Sequence, residues 1–187
     1  MMTLSGRHIT RSSGFPRVAD IALGLSRMNR FGGQTNVEWT VAHHSLVMAR
    51  LVAFDDDPEI ALHVLLHDAH ECLTGDIPTT FKTPDMRELQ HTLDRRIYMG
   101  LNVPMPAPLQ QYRIAGLDKV ALLAEAYCVT PAPTYEKIAD ENEMDADHDA
   151  IVTVQSVIVD YQTPDAARFG YEKALRHELL LQARGNV

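Results

Sequence analysis

Cysteine is scarce in this chain of 187 residues. Cys72 and Cys128 stand far apart with no CxxC pair, which excludes a disulfide framework and reads as two reduced core residues. No run approaches the ~20 apolar residues of a membrane span, and Met1–Pro16 lacks the apolar middle of a secretion signal. A cytoplasmic protein with no membrane partner is therefore expected. Positive charge is in deficit: 17 Lys and Arg face 25 Asp and Glu, a net charge of -8. That argues against a broad phosphate-backbone surface and so against a long nucleic acid, though a few cations in a pocket can still hold a small anion. No segment shows the apolar alternation of a strand bounded by hairpin turns, and no internal repeat is present.

What the chain does carry is helical periodicity, with 45% hydrophobic residues to build a core. Met1–Pro16 reads as an irregular N-terminal arm and residues 17–187 as one all-α domain, a bundle of about six or seven helices. Val18, Ile21, Ala22, Leu25 and Met28 make one stripe, broken at Asn29-Arg30-Phe31-Gly32-Gly33. Thr40 is placed to cap a helix over about Val41–Phe54. Asp57 and Pro58 are placed to cap and open the next, a helix over Ala61–Asp76. Thr83-Pro84 opens a helix ending near Gly100, Leu109–Cys128 forms another, Thr130-Pro131-Ala132-Pro133 breaks it, and two more follow, one around Val154–Tyr161 and a last from Thr163-Pro164 to about Ala183. Asp140–Asp149 holds six acids in ten residues. It lacks the central Gly and terminal Glu of a calcium loop and reads as a solvated acidic loop.

Nine histidines are an unusual supply of ligands. Within Ala61–Asp76, His67, Asp68 and Glu71 put an imidazole and two carboxylates within about one turn of a core helix, where unpaired acids are costly. His43 and His44 fall in the first turn of the preceding helix, and only one of two adjacent helical residues readily faces a given site. Asp118 stands among apolar neighbours and needs a partner if buried. Two imidazoles and two carboxylates on separate helices suit a divalent transition metal; with four protein ligands, ions tolerant of octahedral coordination are favoured. His63 and His70 flank His67 but read as helix-surface histidines outside this set. Trp39, the only tryptophan, reads as core or interface packing.

The strings NRFGGQTNVEWTVAHHSL, HDAHECLTGDIPTTFK and LDKVALLAEA resemble the HD-domain metal-dependent phosphohydrolases, and within them the small bacterial and phage 5'-deoxynucleotidases. The resemblance implies that His44, His67, Asp68 and Asp118 hold a divalent metal (Co, Mn, Fe or Zn), that Asp68 orients the attacking water, and that Glu71 assists proton transfer. It further implies that Arg30 meets the substrate phosphate, that Asp76 accepts the sugar 3'-hydroxyl, and that Phe31 and Lys82 border the substrate. A small-molecule nucleotide and a homodimer are the implied partners. Two residues depart from the family pattern. Phe31 stands where Trp is usual, and His43 stands where Glu is usual, which removes a capping box with Thr40. A triphosphohydrolase releasing triphosphate is the alternative activity, favoured by extra basic residues such as Lys82 and Lys119. A phosphodiesterase of the HD-GYP type is disfavoured because the GYP motif is absent. A non-catalytic helical module with a structural metal is the alternative of another class.

Overall fold

In the computed structural model, residues 1–54 and 58–185 are described, and the chain is all-α. Its helices are α1 (Val18–Leu25), α2 (Val41–Phe54), α3 (Pro58–Leu66), the single turn α4 (Glu71–Thr74), α5 (Pro84–Leu101), α6 (Pro108–Val129), α7 (Ala132–Asn142), α8 (His148–Asp160) and α9 (Pro164–Gly185). Short 3-10 turns lie at Arg30–Gly33 and Thr79–Phe81. Among the described residues there are two isolated bridges, Met2 with His8 and Asn29 with Thr40, and no strand. No helix among them is long and apolar enough to cross a membrane.

Helix α2 is the axis of the bundle and packs against α3, α6, α8 and α9. Every residue from Val41 to Met48 is buried, so its polar members His43, His44 and Ser45 must all find partners inside the protein. Several helix starts follow local chemistry. Thr83 accepts the Met86 N–H at the head of α5, Asp147 accepts the Ala150 N–H at the head of α8, and Thr163 accepts the Ala166 N–H at the head of α9. The expected Asp57 cap lies outside the described residues, and α3 begins at Pro58.

The structure corrects three expectations. The helix expected over Ala61–Asp76 is interrupted: α3 stops at Leu66, residues 67–70 form tight turns, and α4 restarts at Glu71. Side chains take the carbonyls that would continue α3, the His67 Nδ1–H donating to Val64 O at 2.7 Å and the Tyr171 hydroxyl to Leu65 O at 2.7 Å. The turns close instead through shorter-range bonds, Ala69 N–H to Leu66 O and Glu71 N–H to Asp68 O. Second, α6 ends at Val129 as expected, but Pro131 and Pro133 also open a helix that was not expected. Prolines in a first turn are tolerated because their missing N–H groups have no intrahelical partner, and α7 follows directly. Third, the acidic stretch is therefore not one loop. Asp140 and Glu141 lie in the last turn of α7, which ends at Asn142, Glu143 takes the left-handed cap at φ 52°, and Asp147 caps α8.

Candidate metal centre

Three separate elements meet where α2, α6 and the turn after α3 converge. His44 on α2 and His67 in the turn point their Nε2 atoms at each other, 3.2 Å apart. Asp118 Oδ1 from α6 lies 3.2 Å from His44 Nε2, and Asp68 Oδ2 lies 3.0 Å from His67 Nε2 and 3.8 Å from His44 Nε2. Ligands at about 2.1 Å from a shared cation would stand about 3.0 Å apart at a right angle and about 3.4 Å apart at the tetrahedral angle. The separations of 3.0 to 3.2 Å fit that spacing, while Asp68 stands wider from His44, at 3.8 Å. His44, His67 and Asp118 bring their ligand atoms within 4.8 Å of one another.

The far nitrogen of each ring is already committed. His44 Nδ1–H donates to Glu125 Oε1 at 2.7 Å, and His67 Nδ1–H donates to Val64 O. Both rings are thus held in the tautomer that turns an Nε2 lone pair inward, the arrangement a metal needs. Without a cation, protons fill the same role. Burial would lower the His67 pKa, but Asp68 beside it and Asp118 outweigh burial and raise it from 6.5 to about 10. Burial and Arg30 likewise oppose the charge on His44, while Glu125 and Asp118 raise its pKa. Burial would raise Asp68, yet His67, His44 and Arg30 hold it well below the usual carboxylate range.

His43 has both ring nitrogens engaged away from this cluster. Its Nδ1 accepts the Thr40 N–H at 3.1 Å and its Nε2–H donates to Tyr161 O at 2.9 Å, while its ring stacks on Trp39 at 4.8 Å. An imidazole nitrogen thus does what the Glu of a capping box does for the Thr40 N–H, while the Thr40 hydroxyl meets the same nitrogen at 2.8 Å. Trp39 packs in the core, 1% exposed. His63 and His70, read as surface residues, are buried: His63 stacks on Tyr98 and His70 Nδ1–H donates to Asp94 at 2.8 Å.

The loop before α2 delivers Arg30. Phe31, Gly32 and Gly33 all take positive φ, 54°, 60° and 75°; at Phe31 that costs about 1–2 kcal/mol. The turn is held by Arg30 N–H to Trp39 O at 2.9 Å and Val41 N–H to Met28 O at 2.9 Å, which fold the loop back on the start of α2. Arg30 is consequently buried, with Nε 3.0 Å from Glu125 Oε2, NH1 3.9 Å from Asp68 Oδ2 and its guanidinium 5.6 Å from the Phe31 ring centre. Burial opposes its charge, but Glu125, Asp118, Asp68 and Asp76 together raise its pKa and keep it protonated.

Of the other expected residues, Glu71 is buried and faces Lys82 Nζ at 3.9 Å. Burial, then Asp68 and Asp76, push its carboxyl up to about 9 against the pull of Arg30 and Lys82. Asp76 follows Gly75, which turns at φ 81°, and burial raises its pKa while Arg30 and Lys82 lower it. Lys119 points away, donating to Asn142 O at the end of α7. A cleft of about 290 Å³ opens beside the centre, with His67 and Asp118 in one wall and Asp94, Tyr98, Gln111 and Ile114 around it.

Sequence reasoning missed Glu125. It is fully buried and joins His44 to Arg30. The signal was present: an acid inside the apolar run LLAEA, seven residues after Asp118 and so on the same helix face, needs a charged partner.

No family model matches this chain. It is 30% identical over 198 residues to an uncharacterized protein of Rhodobacter capsulatus, covering 96% of this chain and 94% of that one. It is also 30% identical over 110 residues to YfdR of Escherichia coli, likewise uncharacterized, covering 58% of each. The chain belongs to the same family as the Rhodobacter capsulatus protein.

Proposed function

Starting from membership of that family, we propose that the chain is an HD-type phosphohydrolase that cleaves nucleoside 5'-monophosphates, deoxyribonucleotides above all, to nucleoside and inorganic phosphate. One observation carries the reading: two imidazole Nε2 atoms 3.2 Å apart, flanked by two carboxylates, with both opposite ring nitrogens already bonded. His44, His67, Asp68 and Asp118 would hold a divalent cation. Bound there, such a cation lowers the pKa of a water toward neutrality and polarises a phosphoryl oxygen.

The chain's own groups supply the rest. Arg30 brings a permanent charge to the edge of the centre, where a phosphate can take the place Asp68 has at 3.9 Å. Glu71, whose carboxyl is raised in the metal-free protein by burial and then by Asp68 and Asp76, is the group placed to give a proton to the leaving 5'-oxygen. Asp68 stands at the cation position with a carboxylate oxygen to orient water, and Asp76 is the acceptor for a sugar hydroxyl. Arg30 and Lys82 lie against the carboxylates of the site, whereas Lys119, the other base expected there, is engaged elsewhere. That supports a monophosphate over a triphosphate.

The test is product release by metal-stripped protein resupplied with Mn, Co, Mg or Zn, on ribo and deoxy mono- and triphosphates. Phosphate from deoxymonophosphates is expected. Intact triphosphate released from a triphosphate would move the protein to the alternative activity. No turnover with any metal, with Asp68→Ala binding metal as well as the parent, would leave a non-catalytic helical module.

A further inference from the structure

Two helix faces frame the cleft beside the centre. On α6, Gln111, Ile114, Ala115 and Asp118 recur at helical spacing, so one stripe runs from Asp118 at the centre to Gln111 about two turns away. On α5, His91, Asp94 and Tyr98 line the same cleft at the same kind of spacing. At 1.5 Å rise per residue Gln111 stands about 10 Å from Asp118 along the axis, the reach of a nucleoside 5'-monophosphate from its phosphorus to the far edge of its base. The cleft holds about 290 Å³, which is small for a ligand site and suits one flat ring system. Tyr98, Met105 and Ile114 give it apolar walls, and stacking on His63 at 5.7 Å fixes the Tyr98 ring.

Its polar groups are mainly acceptors. Asp94 takes the His70 Nδ1–H on Oδ1 at 2.8 Å, which fixes the carboxylate, and at 19% exposure it keeps lone pairs for a further partner. Gln111 donates one amide N–H to Pro106 O at 2.8 Å, and its carbonyl oxygen is left to accept. The bases differ in what they offer such groups. Guanine presents two adjacent donors, N1–H and the 2-amino group, to a carboxylate. Adenine and cytosine present an amino group beside a ring acceptor. Thymine presents one N–H between two carbonyl oxygens, which a carboxylate repels.

We propose that this cleft is the base subsite of the enzyme and that Asp94 and Gln111 select a base bearing an amino group, guanine before the others. The assignment rests on the nucleotide hydrolase reading of the neighbouring centre. Asp94 accepts from both guanine donors, and Gln111 adds an acceptor at the far end of the cleft.

The experiment is calorimetric binding of dGMP, dAMP, dCMP and dTMP to the metal-free full-length chain, with kcat/KM for the same four in the metal-loaded protein. Tighter binding and higher kcat/KM for dGMP than for dTMP, by about tenfold or more, are expected in wild type. Asp94→Asn still accepts from His70 but sets one acceptor and one donor toward the base, the match to N1–H and the 2-oxo group of xanthine. It should weaken dGMP about tenfold or more and tighten deoxyxanthosine monophosphate, a reversal that loss of packing would not produce. Ala115→Trp, at an exposed position, should fill the cleft and weaken all four nucleotides together. Selectivity in wild type and the Ala115→Trp result stand if Asp94→Asn does not fold. Equal kcat/KM for the four bases, or dGMP handled by Asp94→Asn and Ala115→Trp as by wild type, overturns the subsite and leaves the hydrolase standing. Guanine-selective binding without turnover under any metal refutes the proposed function and not the subsite, and neither binding nor turnover overturns both.

Discussion

Glu125 offers the sharpest test of how the centre is held. Its carboxylate is fully buried and touches His44 Nδ1 at 2.7 Å and Arg30 Nε at 3.0 Å. Glu125→Gln keeps the shape, and its amide oxygen can still accept from His44, but the charge that raises the basicity of His44 and neutralises Arg30 is gone. Loss of such a supporting carboxylate should weaken metal binding by about 10–100-fold, or roughly 1.4–2.7 kcal/mol. Glu125→Ala goes further, leaving Arg30 buried without its nearest partner, and should destabilise the metal-free fold by about 3–5 kcal/mol. For a domain of this size that lowers the Tm by roughly 6–20 °C. Calorimetric melts of stripped protein and competition with a chromophoric chelator read the two effects separately. A double variant, Arg30→Met with Glu125→Leu, should recover much of the stability and none of the metal affinity, because the cost lies in the orphaned charge. Wild-type affinity in Glu125→Gln, or a Tm within a degree or two of wild type in Glu125→Ala, would refute this account.

Further outcomes separate the remaining roles. His43→Ala loses the bonds to Thr40 and Tyr161 and should cost about 1–3 kcal/mol in chemical denaturation while changing metal affinity less than twofold; a large affinity loss would make His43 a ligand. Tyr171→Phe leaves the Leu65 carbonyl unpaired in the core and should cost about 1–3 kcal/mol, read as a lower denaturation midpoint with unchanged slope; a neutral result would deny that this hydroxyl terminates α3. His67 has its folded pKa raised from 6.5 to about 10, so in metal-free protein its contribution is full below pH 6.5 and lost as pH rises through about 10. A cation must displace that proton, so apparent metal affinity should strengthen by up to about tenfold per pH unit between pH 7 and 9, with proton release visible as a buffer-dependent binding heat. Pure pH-independence would contradict the protonated ring.

Much of the fold was legible because helix formation writes itself locally. The stripes over Val18–Met28 and Val41–Phe54, the caps at Thr83 and Thr163 and the prolines after them all correspond to helices of the structure. The break at His67–His70 was not legible, since the periodicity of Leu62, Leu65, Leu66 and Ala69 runs straight through it. The Tyr171 hydroxyl that helps to end α3 comes from 106 residues away. Helix α7 was hidden for the opposite reason: Pro131 and Pro133 carry a stop signal and a start signal at once.

By itself the sequence determined the helical class, the histidines and acids from which a metal centre could be drawn and the excess of acid that any fold must neutralise, because residue type and short-range spacing carry that information. Only the tertiary structure decided between His43 and His44. The two are neighbours in one helical turn, and the choice rests on what each ring meets: Tyr161 at 118 residues' separation for one, Glu125 at 81 for the other. It likewise decided that Glu125 belongs to the centre and that His70 lies buried against Asp94. Burial turns a side chain's charge into an obligation to find a partner, and that partner is chosen by packing, which no local pattern records.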